Sequence, residues 1–256
     1  MKKASIIVRT KNEEKWIVSC LKAVFAQDYG NFEVIIVDNN STDKTIEKIK
    51  QFDVKLITLE KYLPGLALNV GIREADGEFI VCLSGHCIPV NNQWLSQLLL
   101  PMEDPKVAGV YGRQEPMSFT SDMDKRDLML VFGLDPKRQT KDPFFHNANS
   151  ALRKELWGND PFDEETTNIE DRIWGKRMID LEYSLFYQPS SKVYHYHGIH
   201  QEGNPERCRN VVKILEKLHQ EQLDNKEAIL NVDELNIVAL IPVKGEIPTC
   251  GQQSLL

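Results

Sequence analysis

Residues 32–49 read FEVIIVDNNSTDKTIEKI, and this stretch decides the class of fold. Residues 32–37 are mostly apolar and rich in β-branched side chains, which is typical of a buried strand. Ser41, Thr42 and Asp43 are residue types that cap the amino end of a helix, and helical spacing follows them. The stretch therefore predicts a strand, a polar loop and a helix in that order.

The same alternation of strand and helix extends over the first hundred residues. Further apolar runs that are typical of strands occupy residues 4–8, 54–59 and 78–83. Helical patterns lie between the runs, at residues 15–27 and 65–77. Strands that alternate with helices form a mostly parallel central sheet flanked by helices, so the sequence predicts an α/β fold.

Three polar segments follow strands of this predicted sheet, at residues 9–12, 38–40 and 84–87. Ligands of such sheets bind beside the carboxyl ends of the strands. We therefore expect the three segments to converge on one crevice.

The second half of the chain has a different pattern. Strands are expected at residues 107–114 and 184–197, and helices at residues 118–133 and 168–180. Residues 135–142, DPKRQTKD, are polar, which indicates a mobile loop.

The composition excludes several classes of protein. With 41% hydrophobic and 27% charged residues the chain is an ordinary globular one, and its net charge of -7 argues against a nucleic-acid groove. The five cysteines have neither zinc nor disulfide spacing, which suggests a reducing compartment. The apolar run near the N-terminus is too short for a signal peptide or a membrane-spanning helix. We expect a cytoplasmic protein, with contact at the inner face of the membrane left open.

Asp38 ends the strand at residues 32–37 and is the first candidate for function. Its carboxylate could accept hydrogen bonds from a nucleotide base or a ribose hydroxyl at the sheet edge. Residues 38–43 would equally form a turn and a helix cap, because Asp, Asn, Ser and Thr bond readily to nearby backbone. Asp43 in particular fits a helix N-cap, so both interpretations stay open.

Longer segments resemble the family 2 glycosyltransferases with the GT-A fold. ASIIVRTKNEEKWIVSCLKAVFAQDYGNFEVIIVDNNSTDKTIEKIK, from residue 4, and PGLALNVGIREADGEFIVCLSGHCIP, from residue 64, resemble the opening of that family. HNANSALRKELW, FDEETTNIEDRIWGKRM and KVYHYHG match its later segments in the same order. Several motifs in one order are more specific than any one of them. The resemblance covers roughly residues 4–200 and implies a nucleotide-diphospho-sugar transferase fold.

The resemblance implies inverting transfer of a sugar from a nucleotide diphosphate to a hydroxyl group. Asp38 would hold the base or the ribose, and Asp43 would brace that loop. The full set of implied nucleotide-sugar contacts is Thr10, Glu13, Asp38, Asn69 and Ser84. The donor base cannot be read from the sequence, and a UDP-sugar is the default expectation.

The sequence departs from the family at the metal site. Relatives normally carry Asp-x-Asp after the strand equivalent to residues 79–83, and its last carboxylate binds a divalent cation. The aligned triplet here is Ser84, Gly85 and His86. Imidazole suits Mn²⁺ better than Mg²⁺, so we expect His86 to be a metal ligand with Mn²⁺ favoured. The alternative is a half-buried histidine that is hydrogen-bonded at a strand end.

A second metal ligand is expected from VYHYHGIH, residues 193–200. Alternation along a strand puts His195 and His197 on one face, and the family often supplies a late histidine to the cation. His197 is the first choice, against the alternative of incidental histidines in a polar loop. Cys87 could supply a thiolate, although a buried inert thiol is more common.

Asp171 in NIEDRIWGKRM aligns with the general base of the family, which takes the proton from the acceptor hydroxyl. The alternative is an acidic first turn that the helix dipole favours. Glu170 would orient an acceptor or a backbone amide. Asn147 and Asn149 would bind hydroxyls of the acceptor or of the donor sugar, and Arg153 could meet phosphate.

We expect a GT-A domain over residues 1–204, a helical extension over residues 205–235 and a stub over residues 236–256. The stub contains IVALIPVKGEIP, which resembles the start of a sugar cytidylyltransferase, and a final edge strand is the alternative. The expected function is sugar transfer to a glycan or lipid-linked acceptor in polysaccharide synthesis. The alternatives are an inactive sugar-nucleotide-binding protein and the N-terminal part of a bifunctional protein with a cytidylyltransferase domain.

Overall fold

The computed structural model describes residues 1–165 and 169–198, with residues 205, 206, 209, 212, 213 and 216. The described residues contain nine strands, seven α-helices and one short 3-10 helix. The expected helical extension and stub lie almost entirely outside these residues, so the domain boundaries stay a prediction. None of the described helices has the length and apolar character needed to cross a lipid bilayer.

The first four strands form the parallel half of the sheet. They are β1 (Ala4–Thr10), β2 (Phe32–Asp38), β3 (Lys55–Thr58) and β4 (Phe79–Ser84), in the spatial order β3-β2-β1-β4. The crossover helices are α1 (Ile17–Phe25), α2 (Thr45–Ile49) and α3 (Pro64–Arg73). This arrangement confirms the α/β prediction, and it brings the carboxyl ends of β1, β2 and β4 side by side.

The other half of the sheet makes it a mixed one. It contains β5 (Ile88–Pro89), β6 (Val107–Pro116), β7 (Lys137–Gln139), β8 (Asn149–Arg153) and β9 (Ser184–His195). β8 is antiparallel to both β4 and β6, and β6 is parallel to β9. β5 and β7 are antiparallel to β9. The prediction of a loop over residues 135–142 is therefore wrong for Lys137–Gln139, which form β7 and pair with β9.

Helices and apolar side chains cover both faces of the sheet. The remaining helices are the 3-10 helix Leu100–Glu103 and α4 (Trp94–Leu99), α5 (Asp122–Val131), α6 (Lys154–Asn159) and α7 (Glu170–Asp180). Alternation along β1 sends Ile6 into the core that contains Trp94 and Ile7 into the core that contains Trp174. All four side chains are fully buried, and burial of each aliphatic one contributes about 1.5–3 kcal/mol.

Asn149 links four elements at the middle of the sheet. Its Oδ1 accepts from the indole N–H of Trp94 over 2.8 Å, and its Nδ2 donates to the carbonyls of Arg113 and Ser191. A Cβ at Gly112 would lie 2.4 Å from Nδ2, so the glycine makes room for the amide. Asn149 is therefore a structural residue that joins β8 to β6, β9 and α4.

We expect Asn149→Ala to lower the free energy of unfolding by about 2–4 kcal/mol, because it removes three hydrogen bonds and leaves the buried indole N–H of Trp94 without this acceptor. Urea unfolding followed by circular dichroism measures this loss. The control is Asn31→Ala, since the side chain of Asn31 is exposed and donates only to the carbonyl of Met1. Its expected change is below about 0.5 kcal/mol. Equal losses in the two variants would contradict the structural role of Asn149.

Candidate functional site

A cleft of about 380 Å³ lies at the carboxyl ends of β1, β2 and β4. Its lining residues are Arg9, Thr10, Lys11, Glu13, Asn39, Tyr62, Ser84 and His86. All three polar segments that follow these strands contribute to the cleft, as the strand order requires. The cleft is therefore the candidate functional site, and four of the expected site residues line it: Thr10, Glu13, Ser84 and His86.

Asp38 lies beneath the cleft and organises two loops. Its carboxylate accepts from Oγ1 of Thr10 over 3.0 Å, from Oγ of Ser41 over 2.6 Å and from the backbone N–H of Ser41 over 2.7 Å. Asp38 is fully buried, and its neighbour Asn39 lines the cleft instead. A direct contact of Asp38 with a nucleotide stays a prediction.

The loops after β1 and β2 hold each other through reciprocal hydrogen bonds. Asn12 donates its backbone N–H to Oγ of Ser41, and its Oδ1 accepts from the backbone N–H of Thr42, both over 2.8 Å. Asn12 and Asn40 have φ of 53° and 48°, a left-handed conformation that asparagine tolerates better than most residues. Asp43 accepts from the N–H groups of Glu14 and Thr45, so it braces the loop and also bonds at the start of α2.

His86 faces the cleft between Glu13 and His195. Its Nδ1 donates to Oε1 of Glu13 over 2.5 Å, and its Nε2 lies 3.1 Å from Nε2 of His195. Oγ of Ser84 lies 2.9 Å from the same Nε2. Glu13, which was expected beside the nucleotide, thus holds the imidazole of His86.

His195 is oriented by a buried glutamine. Its Nδ1 donates to Oε1 of Gln114 over 2.7 Å, which leaves Nε2 as the nitrogen that faces His86. The two histidines therefore share one pattern, in which Nδ1 donates to a fixed oxygen and Nε2 is directed at the other ring. Metal-binding histidines commonly have this arrangement, with the second nitrogen bonded to a carboxylate or a carbonyl oxygen.

The donor set fits a divalent cation. Imidazole nitrogens bind such ions at about 2.1 Å, so two that subtend a right angle stand roughly 3 Å apart. One ligand atom each from His86, His195 and Cys87 lies within 4.8 Å of the others. Burial raises the pKa of the Cys87 thiol, which argues against a thiolate there.

The structure brings His197 close to this pair of histidines. Its ring centroid is 4.9 Å from that of His86 and 4.2 Å from that of His195. Its Nδ1 lies 2.8 Å from the carbonyl of Gly198. β9 ends at His195, so strand alternation does not extend to His197. His197 as a metal ligand stays a prediction.

Asp171 is a buried carboxyl in the first turn of α7. Its Oδ2 accepts from the backbone N–H of Asn147 over 3.1 Å, and its Oδ1 accepts from the N–H of Arg172 over 2.8 Å. Burial, and then the neighbouring Glu170, raise the pKa of Asp171 to about 7. Glu170 contacts the guanidinium of Arg9 at 3.4 Å, so among the described residues its carboxylate pairs with a cation.

Asn147 carries a buried polar group that no described residue contacts by a hydrogen bond. Its Oδ1 accepts from Oγ of Ser150 over 3.0 Å. Its Nδ2 is buried and has no hydrogen-bond partner among the described residues. A buried donor beside Asp171 is suited to a hydroxyl of a bound sugar.

Three expected contacts are corrected by the structure. The amide of Asn69 is fully occupied, because it donates to Phe162 and Glu164 and accepts from Trp157. Asn149 is occupied in the same way within the sheet. Arg153 lies opposite Phe79, the first residue of β4. It is therefore at the amino ends of the parallel strands, whereas the cleft is at their carboxyl ends. None of the three is placed to contact a nucleotide sugar.

Sequence reasoning missed several residues of the site. Arg9 and Asn39 lie in polar segments that were expected at the crevice, but neither was named as a candidate site residue. His195 was expected on the same face as His197, which was the first choice as ligand, and the structure puts Nε2 of His195 3.1 Å from Nε2 of His86. Gln114 and Tyr62 have no local signal, since only the folded chain brings them to the site.

The comparisons with known proteins agree with this architecture. Residues 5–158 match the family described as Glycosyl transferase family 2. The chain is 39% identical over 121 residues to a dolichyl N-acetyl-alpha-D-glucosaminyl phosphate 3-beta-D-2,3-diacetamido-2,3-dideoxy-beta-D-glucuronosyltransferase of Methanococcus voltae, over 42% of this chain and 38% of that protein. It is 27% identical over 259 residues to the poly(ribitol-phosphate) beta-N-acetylglucosaminyltransferase TarS of Staphylococcus aureus, over 87% of this chain and 43% of that protein. The chain thus spans about two fifths of the length of these relatives.

A solved structure has the same fold. The mannosyltransferase PcManGT from Pyrobaculum calidifontis, in complex with GDP-Man and Mn²⁺, superposes with a TM-score of 0.59 at 23% identity, over 75% of this chain and 56% of that one. This likeness confirms the expected GT-A fold. The family match covers more than half of the 256 residues. The chain belongs to glycosyl transferase family 2.

Proposed function

We propose that the chain is the transferase domain of an inverting glycosyltransferase that uses a nucleotide-diphosphate sugar. The observation that carries the proposal is the pair of facing imidazole nitrogens of His86 and His195, 3.1 Å apart at the edge of the cleft. Family membership and the mannosyltransferase complex with GDP-Man and Mn²⁺ support a sugar-nucleotide donor and a divalent cation.

The nucleotide is proposed to occupy the cleft of about 380 Å³. Thr10 and Asn39 line it near the end of β2, and Asp38 beneath them holds the loop that presents Asn39. Ser84 and Glu13 lie on the side of His86. The donor is proposed to be a UDP-sugar.

His86 and His195 are proposed to hold the cation, with His197 as a nearby third ligand. When bound, a divalent cation stabilises the negative charge of the departing nucleotide diphosphate. Nitrogen ligands favour Mn²⁺ over Mg²⁺, which prefers an all-oxygen shell. Glu13 and Gln114 keep the two rings in the orientation that this role requires.

Asp171 is proposed to be the general base. Its ionised carboxylate takes the proton from an acceptor hydroxyl while that oxygen bonds to the anomeric carbon and the bond to the diphosphate breaks. A pKa near 7 suits this task, because a base with a higher proton affinity than an ordinary aspartate still ionises near neutral pH. Asn147 is proposed to bind a hydroxyl of the acceptor or of the donor sugar with its unused Nδ2.

The acceptor is proposed to be a glycan or a lipid-linked glycan. The two relatives are named for transfer to a dolichyl-linked sugar phosphate and to poly(ribitol-phosphate), so one of the named acceptors carries a lipid and the other is a polymer. The expected cytidylyltransferase stub lies outside the described residues and adds no support for a second activity.

A panel of nucleotide sugars tests this function. The wild-type protein is expected to release nucleoside diphosphate with Mn²⁺, less with Mg²⁺ and not with a chelator. His86→Ala is expected to lose Mn²⁺-dependent turnover, and Asp171→Asn to lower kcat by about two to four orders of magnitude. A coupled enzymatic assay of the released nucleoside diphosphate measures the turnover of the wild type and of both variants.

Asp180→Asn is the matched control, because Asp180 lies at the other end of α7 and is exposed to solvent with Lys176 as its partner. It should leave kcat unchanged. Binding of a sugar nucleotide by calorimetry without any release of diphosphate would favour the inactive binding protein. Undiminished transfer by Asp171→Asn would remove the proposed base.

The rate should also depend on pH through Asp171. Below its pKa of about 7 the carboxyl is protonated and cannot accept a proton, so kcat/KM should fall about tenfold for each pH unit below 7 and level off above it. Glu170→Gln should move the midpoint to lower pH, because it removes a negative charge that raises the pKa of Asp171. A pH profile measured at saturating Mn²⁺ checks both, and an unmoved midpoint in Glu170→Gln would contradict the assignment.

A further inference from the structure

One buried side chain on β6 connects the two halves of the proposed site. Gln114 is 1% exposed, and its amide contacts histidines from two distant parts of the chain. Its Oε1 accepts from Nδ1 of His195 over 2.7 Å, and its Nε2 donates to Nδ1 of His146 over 3.0 Å. Gln114 lies opposite Val193 of β9, so the sheet fixes its backbone.

The contact with His195 decides which nitrogen of that ring faces His86. A carbonyl oxygen can only accept, so Nδ1 of His195 carries the proton and Nε2 presents a lone pair. That lone pair is directed at Nε2 of His86, 3.1 Å away. An apolar side chain at position 114 would leave the ring free to take the other tautomer or to rotate.

The contact with His146 leads to the proposed base. His146 precedes Asn147, whose backbone N–H donates to Oδ2 of Asp171 over 3.1 Å. The carbonyl of His146 accepts from the backbone N–H of Asn149 over 3.3 Å, which closes this turn onto the start of β8. The amide that orients His195 therefore also holds the turn that contacts Asp171.

We propose that Gln114 is a positioning residue that sets the cation site and the base in one arrangement. It acts on the cation site through the tautomer and orientation of His195, and on Asp171 through the turn at residues 146–149. The proposal rests on the cation site of the proposed function, and it concerns a residue that touches neither the cation nor the substrate.

The test measures Mn²⁺ affinity by electron paramagnetic resonance of the free ion, with the full chain and no nucleotide. Gln114→Leu should weaken Mn²⁺ binding about 10- to 100-fold, which is the usual effect of losing a partner of a ligating histidine. Gln114→Glu should stay within about threefold of wild type, because a carboxylate oxygen accepts the same proton from His195. If Gln114→Glu retains the affinity that Gln114→Leu loses, the loss comes from the missing acceptor for Nδ1 of His195 and not from a change in side-chain volume at position 114.

Gln139→Leu is the matched control. Gln139 is equally buried, at 2% exposure, but its amide serves Tyr111, Asp142 and Phe144 around β7. We expect this variant to lower Tm without changing the Mn²⁺ affinity. A loss of affinity in Gln139→Leu as large as that in Gln114→Leu would overturn the proposal, since general loosening of the fold would then explain both.

A measurement on the wild type keeps the test independent of variant folding. Nitrogen-15 spectra of the protein loaded with diamagnetic Zn²⁺ should give a proton on Nδ1 of His195 and none on Nε2, with His195→Gln for assignment. A proton on Nε2 would overturn the proposal.

If wild type binds Mn²⁺ and Gln114→Leu binds it equally well, the role of Gln114 fails while the cation site stands. If wild type binds no Mn²⁺, the cation site itself fails.

Discussion

The approach of His86 to His195 is the constraint on which the rest of the site depends. The Nε2 atoms of the two rings lie 3.1 Å apart, within hydrogen-bond distance, so the position of each ring limits that of the other. Glu13 and Gln114 accept from the Nδ1 atoms of the two rings and so prevent either ring from turning away. The loop after β1 and the end of β6 are therefore linked through the contacts of Glu13 with His86, of His86 with His195 and of His195 with Gln114.

Much of the fold could be predicted because its signals are local. Runs of β-branched residues and helix-capping residues identify the strands and helices of the parallel half without reference to distant contacts. The position of the cleft then follows from topology, since parallel strands end at one edge. Asp171 and His86 were identified by their place in ordered motifs, and the structure puts His86 in the cleft and Asp171 in a buried first turn.

The rest depends on tertiary neighbours that no local pattern encodes. β7 is three polar residues, and it becomes a strand only because β9 offers an unpaired edge almost fifty residues later. Asn69 and Asn149 have the residue type of a sugar contact, yet buried indole and carbonyl groups use their amides completely. Gln114 is an unremarkable residue in the sequence, and its role follows from the two rings that the sheet brings to it.

The burial of Asp171 beside Glu170 also couples folding to the uptake of a proton. The ordinary pKa of this carboxyl is 3.8, and the folded protein raises it to about 7. Between those two pH values the native chain binds a proton that the denatured chain has released, so the contribution of Asp171 to stability falls as the pH rises and is constant above about 7. The native fold therefore disfavours the ionised form of Asp171, which is the form that would accept a proton. A positive charge bound near the carboxylate would stabilise that form and lower the pKa.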